Sequence, residues 1–381
     1  MEKSLNLDLV QEKCAECGFS QSSLAEKIGV TRAAVSKWFT EKSFPRPAEL
    51  LKLGRLLGLR HSDLVKSELM VEEPLVAFRK RGASKTTLAH VERAKDMGNL
   101  LRPLVPYLDF DPYFSPPSLK NPTTEYRYIQ DLVVQIRRDI GVGEDCPIQF
   151  QDLIGTFHKY QAVIIPTLWG EKSKHENALH IHLPDSKTTW IYLNLDVQMH
   201  DFKFWMAHEL GHVLTVDLLE NERLEDAENF ADTFAGALLF PERVAGRTFH
   251  TYSKRRSARG RIQLLCEVAK EYRISPLSVY YELKHFAENA DQSFEEIAEY
   301  ALHPQIAEFN KMHPLVSEYL FDDETPSADH FMRIAQERFG TDIYKVLGDY
   351  IREKEPSPSL VSSLLSVSPM DGRAYYDALA H

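Results

Sequence analysis

His208, Glu209 and His212 stand in the order H-E-x-x-H, inside the stretch WMAHELGHVLTVDLLENERLEDAENFADTFAGALLFP that runs from Trp205 to Pro241. On a helix, residues four apart share a face. His208 and His212 can therefore both turn a ring nitrogen towards one metal ion. Glu209 falls beside that ion, where a carboxylate can act as general base on a water that the metal activates. A zinc centre that does chemistry also needs a third protein ligand and an open position. Glu228 and Asp232 follow one loop later, again four apart on one helical face. One of them can bind the metal while the other holds a ligand histidine by its far nitrogen, which orients the ring and raises its basicity.

The elements that carry these residues support that reading more than the short pattern does. Phe202, Phe204, Trp205, Met206, Ala207, Leu210, Val213 and Leu214 make the first helix apolar almost all round. A largely buried helix does not carry two histidines and a glutamate without partners, because unpaired buried polar groups are costly. Phe230, Ala231, Phe234, Ala235, Ala237, Leu238 and Leu239 surround Glu228 and Asp232 in the same way. A plain surface role for the two carboxylates fits those neighbours poorly.

The HELGH helix, followed by E-x-x-A-D-x-F-A-x-x-L-L-x-P over Glu228–Pro241, resembles the ImmA/IrrE family of bacterial metallopeptidases. The resemblance extends over about 123–283. It implies that His208, His212 and Glu228 are zinc ligands and that Glu209 is the catalytic base, which leaves Asp232 as the carboxylate that holds a ligand histidine; manganese is the alternative ion. It also implies a protein partner: many members cleave a DNA-binding repressor in trans, and others stand beside toxin genes or in mobile elements. The chain departs from the family pattern in two places. Phe202-Lys203-Phe204 stands where a basic pair is common, and Glu282 stands where the closing helix (ISPLSVYYEL, Ile274–Leu283) usually has arginine.

The length of 381 residues allows two or three domains, and 43% apolar with 27% charged residues is a globular composition. Four cysteines are too few for a disulfide framework. Cys14 and Cys17 form C-x-x-C without a second pair at zinc-ribbon spacing, so core packing is the better reading. No apolar run reaches the roughly 20 residues of a membrane span. The start, MEKSLNLDLV, lacks a basic region before an apolar one. A cytoplasmic protein that does not enter membranes is expected. The net charge of −11 is uneven: residues 1–96 carry 17 Lys and Arg against 13 Asp and Glu, and the remainder 28 against 43. Only the front of the chain suits a nucleic-acid partner.

That front reads as five short helices over 1–69. Gly18 closes the first. Ser20 caps the second, Gly29 makes a tight turn, Val30 plugs the core, and Thr31 caps a third helix over 32–39. The spacing of Leu24, Ala25, Ile28, Val30, Val35 and Trp38 resembles the helix-turn-helix of phage-repressor-like (XRE-type) regulators. In that geometry the third helix enters the major groove of double-stranded DNA. Thr31, Arg32, Ala33, Ser36 and Lys37 would face bases, and Gln21 and Ser22 would meet phosphate. The competing reading is a helical domain that binds protein instead, since a net +4 is modest for DNA. Such modules usually read two half-sites as dimers, so a homodimer is expected.

The rest of the chain fills in around the motif. Residues 70–122 read as a connector, with a basic cluster at Arg79, Lys80 and Arg81, a helical face at Leu88, Val91, Met97, Leu100 and Leu101, and a proline-rich stretch from Pro112 to Pro122. A zincin-like metallopeptidase domain is expected over 123–288 and a C-terminal helical domain over 289–381. The expected fold class is multidomain, mainly α with a small antiparallel sheet (α+β). Three strands are expected, over 162–166, 180–183 and 189–195. The last or its neighbour would line the cleft and hold substrate as an added strand. His180, His182 and His200 are read as structural, not as ligands. The oxyanion donor stays open among Tyr252, His250, Tyr280 and Tyr281. Two functions compete: a DNA-binding, zinc-dependent peptidase that cuts a partner such as a repressor, or a regulator or antitoxin of a toxin–antitoxin or mobile-element system whose zincin domain binds a partner without cutting it.

Overall fold

A computed structural model describes residues 3–40, 42–59, 64–67, 72–77, 88–111, 114, 116–170, 177–220, 223–322 and 325–380. The chain divides into two compact units, 1–72 and 73–381.

In the first unit β1 (Lys3–Leu5) pairs antiparallel with β2 (Val65–Ser67). Between them lie α1 (Leu7–Glu16), α2 (Gln21–Ile28), α3 (Arg32–Phe39) and α4 (Pro47–Leu57). The Ser20 hydroxyl accepts from Ser23 N at 3.2 Å and starts α2. Gly29 ends α2 in the left-handed conformation, φ 84°, which a residue with a Cβ adopts only at a cost. Thr31 then accepts from Ala34 N at 3.2 Å and starts α3. Leu24, Ala25, Ile28, Val35 and Trp38 share one core with Leu50 and Leu53, and Val30 packs against it. Four of the five expected helices lie among the described residues; most of the stretch left for the fifth, residues 60–63, lies outside them.

The second unit opens with β3 (Leu75–Ala77) and α5 (Leu88–Leu101), followed by a 3-10 turn over Arg102–Tyr107. The basic cluster at 79–81 lies outside the described residues. Next come α6 (Tyr126–Ile140), α7 (Phe150–Lys159), β4 (Ala162–Thr167), β5 (Ala178–Leu183) and β6 (Thr188–Asn194). The motif helices are α8 (Met199–Leu214), α9 (Val216–Glu220) and α10 (Leu224–Leu239). Beyond them run α11 (Glu242–Ser253), α12 (Ala258–Tyr272), α13 (Pro276–Asn289), α14 (Glu299–Lys311), α15 (Val316–Phe321), α16 (Ala328–Phe339), α17 (Ile343–Lys354), α18 (Pro358–Leu365) and α19 (Pro369–Ala380). Among the described residues no helix is long and apolar enough to cross a membrane.

The four strands order as β3-β5-β6-β4. The expected antiparallel pairing holds for β5 with β6, which a tight turn joins; β3, from the stretch read as a connector, adds a further antiparallel strand on β5. β4 is the exception: it runs parallel to β6, so the sheet is mixed. β4 lies on the far side of β6 from β5. Every residue of β4, β5 and β6 is buried. Both faces are therefore covered, α8 on one and C-terminal helices on the other. Tyr192 Oη donates to Leu364 O at 2.9 Å and Trp169 Nε1 donates to Leu365 O at 3.2 Å. Thr341 Oγ1 donates to the Ile164 carbonyl of β4. The helices expected as a separate domain over 289–381 thus close the same core as the sheet.

α8 and α10 pack together at unusually close range. A Cβ on Gly211 would sit 2.9 Å from Ala231 Cα. Small residues at this crossing bring the two motif helices near enough for their polar side chains to meet. Fully burying a residue such as Leu210, Phe230 or Phe234 contributes about 1.5–3 kcal/mol. The apolar faces hold the crossing in place, and it is there that the chemistry-bearing residues gather.

Candidate metal centre

His208 and His212 project from α8 with their Nε2 atoms 3.0 Å apart. From α10, Glu228 reaches both: Oε1 lies 3.2 Å from His212 Nε2, and Oε2 lies 3.5 Å from His208 Nε2. One ligand atom from each of the three lies within 4.8 Å of the others. Asp232, one turn beyond Glu228, accepts from His208 Nδ1 at 2.9 Å. With its proton on Nδ1, His208 directs the Nε2 lone pair at the same point as Glu228.

Electrostatics follow from burial and from these pairs. His208 and His212 are each 1% exposed. Burial works against charge on His208, but the hydrogen bonds to Asp232 and Glu228 outweigh it and raise its pKa. Burial likewise opposes ionised Glu228, yet the charge of His212 and the bonds to both rings bring its carboxyl down to about 2. Glu209 has no such donor among the described residues, so burial pushes it up to about 8. Oε2 of Glu209 and Nδ1 of His212 have no hydrogen-bond partner among those residues either.

Two imidazole nitrogens and a carboxylate oxygen are a donor set that suits zinc. At 3.0 Å the two Nε2 atoms share at most one proton, which leaves a lone pair and a carboxylate facing inward. A buried cluster of acceptors of this kind fits a divalent cation, with His208, His212 and Glu228 as the groups that could hold it and Asp232 as the group that sets the His208 tautomer.

Two of the three histidines read as structural make their contacts outside this cluster. His182 Nδ1 pairs with Thr189 Oγ1 at 3.0 Å. The His200 ring lies 4.1 Å, centroid to centroid, from that of His313. His180 is different. Its Nδ1 lies 3.7 Å from Glu209 Oε2, its ring lies 5.5 Å from that of His212, and neither ring nitrogen has a hydrogen-bond partner among the described residues. It sits against the expected general base, which the H-I-H pattern of a strand could not reveal.

Of the four open oxyanion candidates, three make contacts elsewhere. Tyr252 Oη donates to Glu295 O at 2.7 Å, Tyr280 Oη accepts from Ile297 N at 3.3 Å, and His250 Nε2 lies 2.7 Å from Lys254 Nζ. Tyr281 is half exposed beside Trp205, Asp232 and Glu282, in a cleft of about 270 Å³. Glu282 is buried against Gly236, where a Cβ would come within 2.3 Å of its Oε1, and it pairs with His285 at 3.5 Å. Lys203 is buried as well, donating to Ile148 O and Tyr272 O at 2.7 Å each. It pins α8 to its neighbours from a point outside the cluster.

Residues 167–284 match the family described as the IrrE N-terminal-like domain, and residues 10–64 match the helix-turn-helix family. This chain carries an ImmA/IrrE-type domain behind an XRE-type helix-turn-helix domain. No curated protein and no solved structure gave a match. The IrrE-like segment begins within β4 and ends in α13, so it contains the whole cluster and the two strands beside it, β5 and β6. β3 and the helices beyond α13 lie outside it.

In the helix-turn-helix domain Ser22, Thr31, Arg32, Ala33 and Lys37 are exposed or partly so, as are Gln21 and Ser36. Arg32, Ala33, Ser36 and Lys37 lie on α3, opposite the buried Val35 and Trp38. Cys14 packs in the core and Cys17 is exposed; both are free thiols.

Proposed function

We propose that this chain is a DNA-binding, metal-dependent peptidase-type regulator. Its helix-turn-helix domain holds double-stranded DNA through α3 and the start of α2. Its second unit hydrolyses a peptide bond in a partner protein such as a repressor. His208, His212 and Glu228 hold the ion, zinc or alternatively manganese. The observation that carries this reading is the convergence of two ring nitrogens and one carboxylate within 4.8 Å, with Glu209 buried beside them.

A divalent ion held by His208, His212 and Glu228 would supply a Lewis acid for the scissile carbonyl and would acidify a water. Glu209 accepts the proton from that water and delivers it to the leaving amine. Asp232 keeps the His208 ring oriented throughout.

The second reading is a regulator or antitoxin whose zincin fold binds a partner without cutting it. The closure of the site favours it: Glu209 is 4% exposed and both histidines 1%. One comparison separates the two. Zinc-loaded protein and its Glu209→Gln variant are incubated with the products of the adjacent genes and analysed by mass spectrometry. The peptidase reading expects cleavage by the first and none by the second, at equal zinc content. Equal cleavage by both rejects it, and no cleavage by either leaves the binding reading in its place.

A further inference from the structure

β5 is paired on both sides over His180–His182. β6 pairs with one side of it and β3 with the other, in the register Leu75↔His182, Val76↔Ile181 and Ala77↔His180. β3 does not belong to the IrrE-like segment; it comes from the stretch that links the helix-turn-helix domain to the rest. Residues opposite each other in an antiparallel pair project to the same face. His180 projects towards α8, where it meets Glu209 at 3.7 Å. Ala77, and Leu75 two residues before it, therefore face the same side. β3 also touches α9 and α10, and α10 carries Glu228. The short strand thus bridges from β5 to the helix that supplies the carboxylate. Val76 is 6% exposed and Ala77 is 4% exposed, so this bridge is packed closed.

We propose that residues 73–77 are a strap that occupies the edge of β5 on which a substrate strand would add, and that shuts the metal centre. The inference rests on the metal-centre reading given under Proposed function. A peptide adding to β5 would need the same backbone groups of His180–His182 that β3 already uses, so strap and substrate exclude each other. Three paired residues are a small ladder beside the six-residue β4–β6 pairing. Such a segment can open locally while the core stays folded. Leu75 is the third residue of the second unit, so the strap is also the point where the helix-turn-helix domain is tethered.

The test uses the full chain with Val76→Cys and Ile181→Cys. These two positions are direct partners in the ladder and project to the face away from His180, so a disulfide between them locks the strap without entering the site. The protein is loaded with zinc, and the time course of zinc transfer to excess chelator is followed in the oxidised and reduced forms. The strap predicts that the oxidised form releases zinc about tenfold more slowly, or slower still, and that the reduced form behaves like the unmodified chain. Ala77→Pro, which puts a proline inside the paired strand, should release zinc faster than the unmodified chain. Equal zinc content with equal release in the oxidised and reduced forms overturns the strap and leaves the metal centre standing. No zinc uptake by any form overturns the metal-centre reading, and the strap with it.

Discussion

Asp232 Oδ1 lies 2.9 Å from His208 Nδ1, on the side of the ring away from Glu228. Glu228 and Asp232 therefore address opposite nitrogens of one imidazole, one turn of helix apart. Asp232→Asn retains an acceptor but no charge, so it should weaken the hold on His208 without emptying the site. We expect zinc affinity to fall by about 10–100-fold, as is usual when a partner of a ligand histidine is changed. Competition against a fluorescent chelator reads this directly, and an unchanged affinity would show that Asp232 is a bystander.

The DNA-facing assignment concerns exposed positions on α3. Arg32→Ala and Lys37→Ala together should weaken binding to the duplex upstream of the gene. The slope of log Kd against log salt should become shallower by about one for each phosphate that these side chains neutralise. Fluorescence anisotropy over a salt series gives both numbers. Unchanged affinity and slope would point to a helical domain that binds protein.

Lys203 makes stability depend on pH in a direction that can be stated in advance. Burial lowers its pKa from 10.5 to about 7, with a further push from Arg273. Between those values the unfolded chain keeps a proton that the folded chain has released, so unfolding free energy rises with pH across this window. The gain is complete above 10.5 and is lost as pH falls through about 7. Urea unfolding at several pH values from 7 to 10 should show this rise in the wild type and a flatter profile in Lys203→Met. Parallel profiles would mean that Lys203 keeps an ordinary pKa in the fold.

The convergence of His208, His212 and Glu228 is legible in the sequence because these residues lie on two helices whose neighbours are nearly all apolar. Spacing alone then fixes which side chains share a face. The helix-turn-helix is legible for a related reason: Ser20, Gly29 and Thr31 punctuate it with caps and a left-handed turn. The sheet is harder to read. β3 is three residues long, within a stretch that reads as a linker, and its pairing with β5 is set by packing across the fold. The last strand, a natural choice for a substrate-binding edge, is interior, because β4 lies parallel on its outer side. β4, β5 and β6 are buried on both faces, so no alternation of polar and apolar residues marks which edge is free. The C-terminal region is recognisable as helical, and α16 and α17 run over 328–339 and 343–354. The role of this region as a cover for the sheet depends on contacts such as Tyr192 Oη to Leu364 O, which no local pattern encodes.

The most direct test is the zinc content of the purified chain after exhaustive dialysis, measured by mass spectrometry beside single variants of the three converging side chains. One ion per chain is predicted for the wild type and for Glu209→Gln, and none for His208→Ala, His212→Ala or Glu228→Ala at equal folded content by circular dichroism. A wild-type chain that takes up no divalent metal, or a Glu228→Ala chain that keeps its full complement, would contradict it.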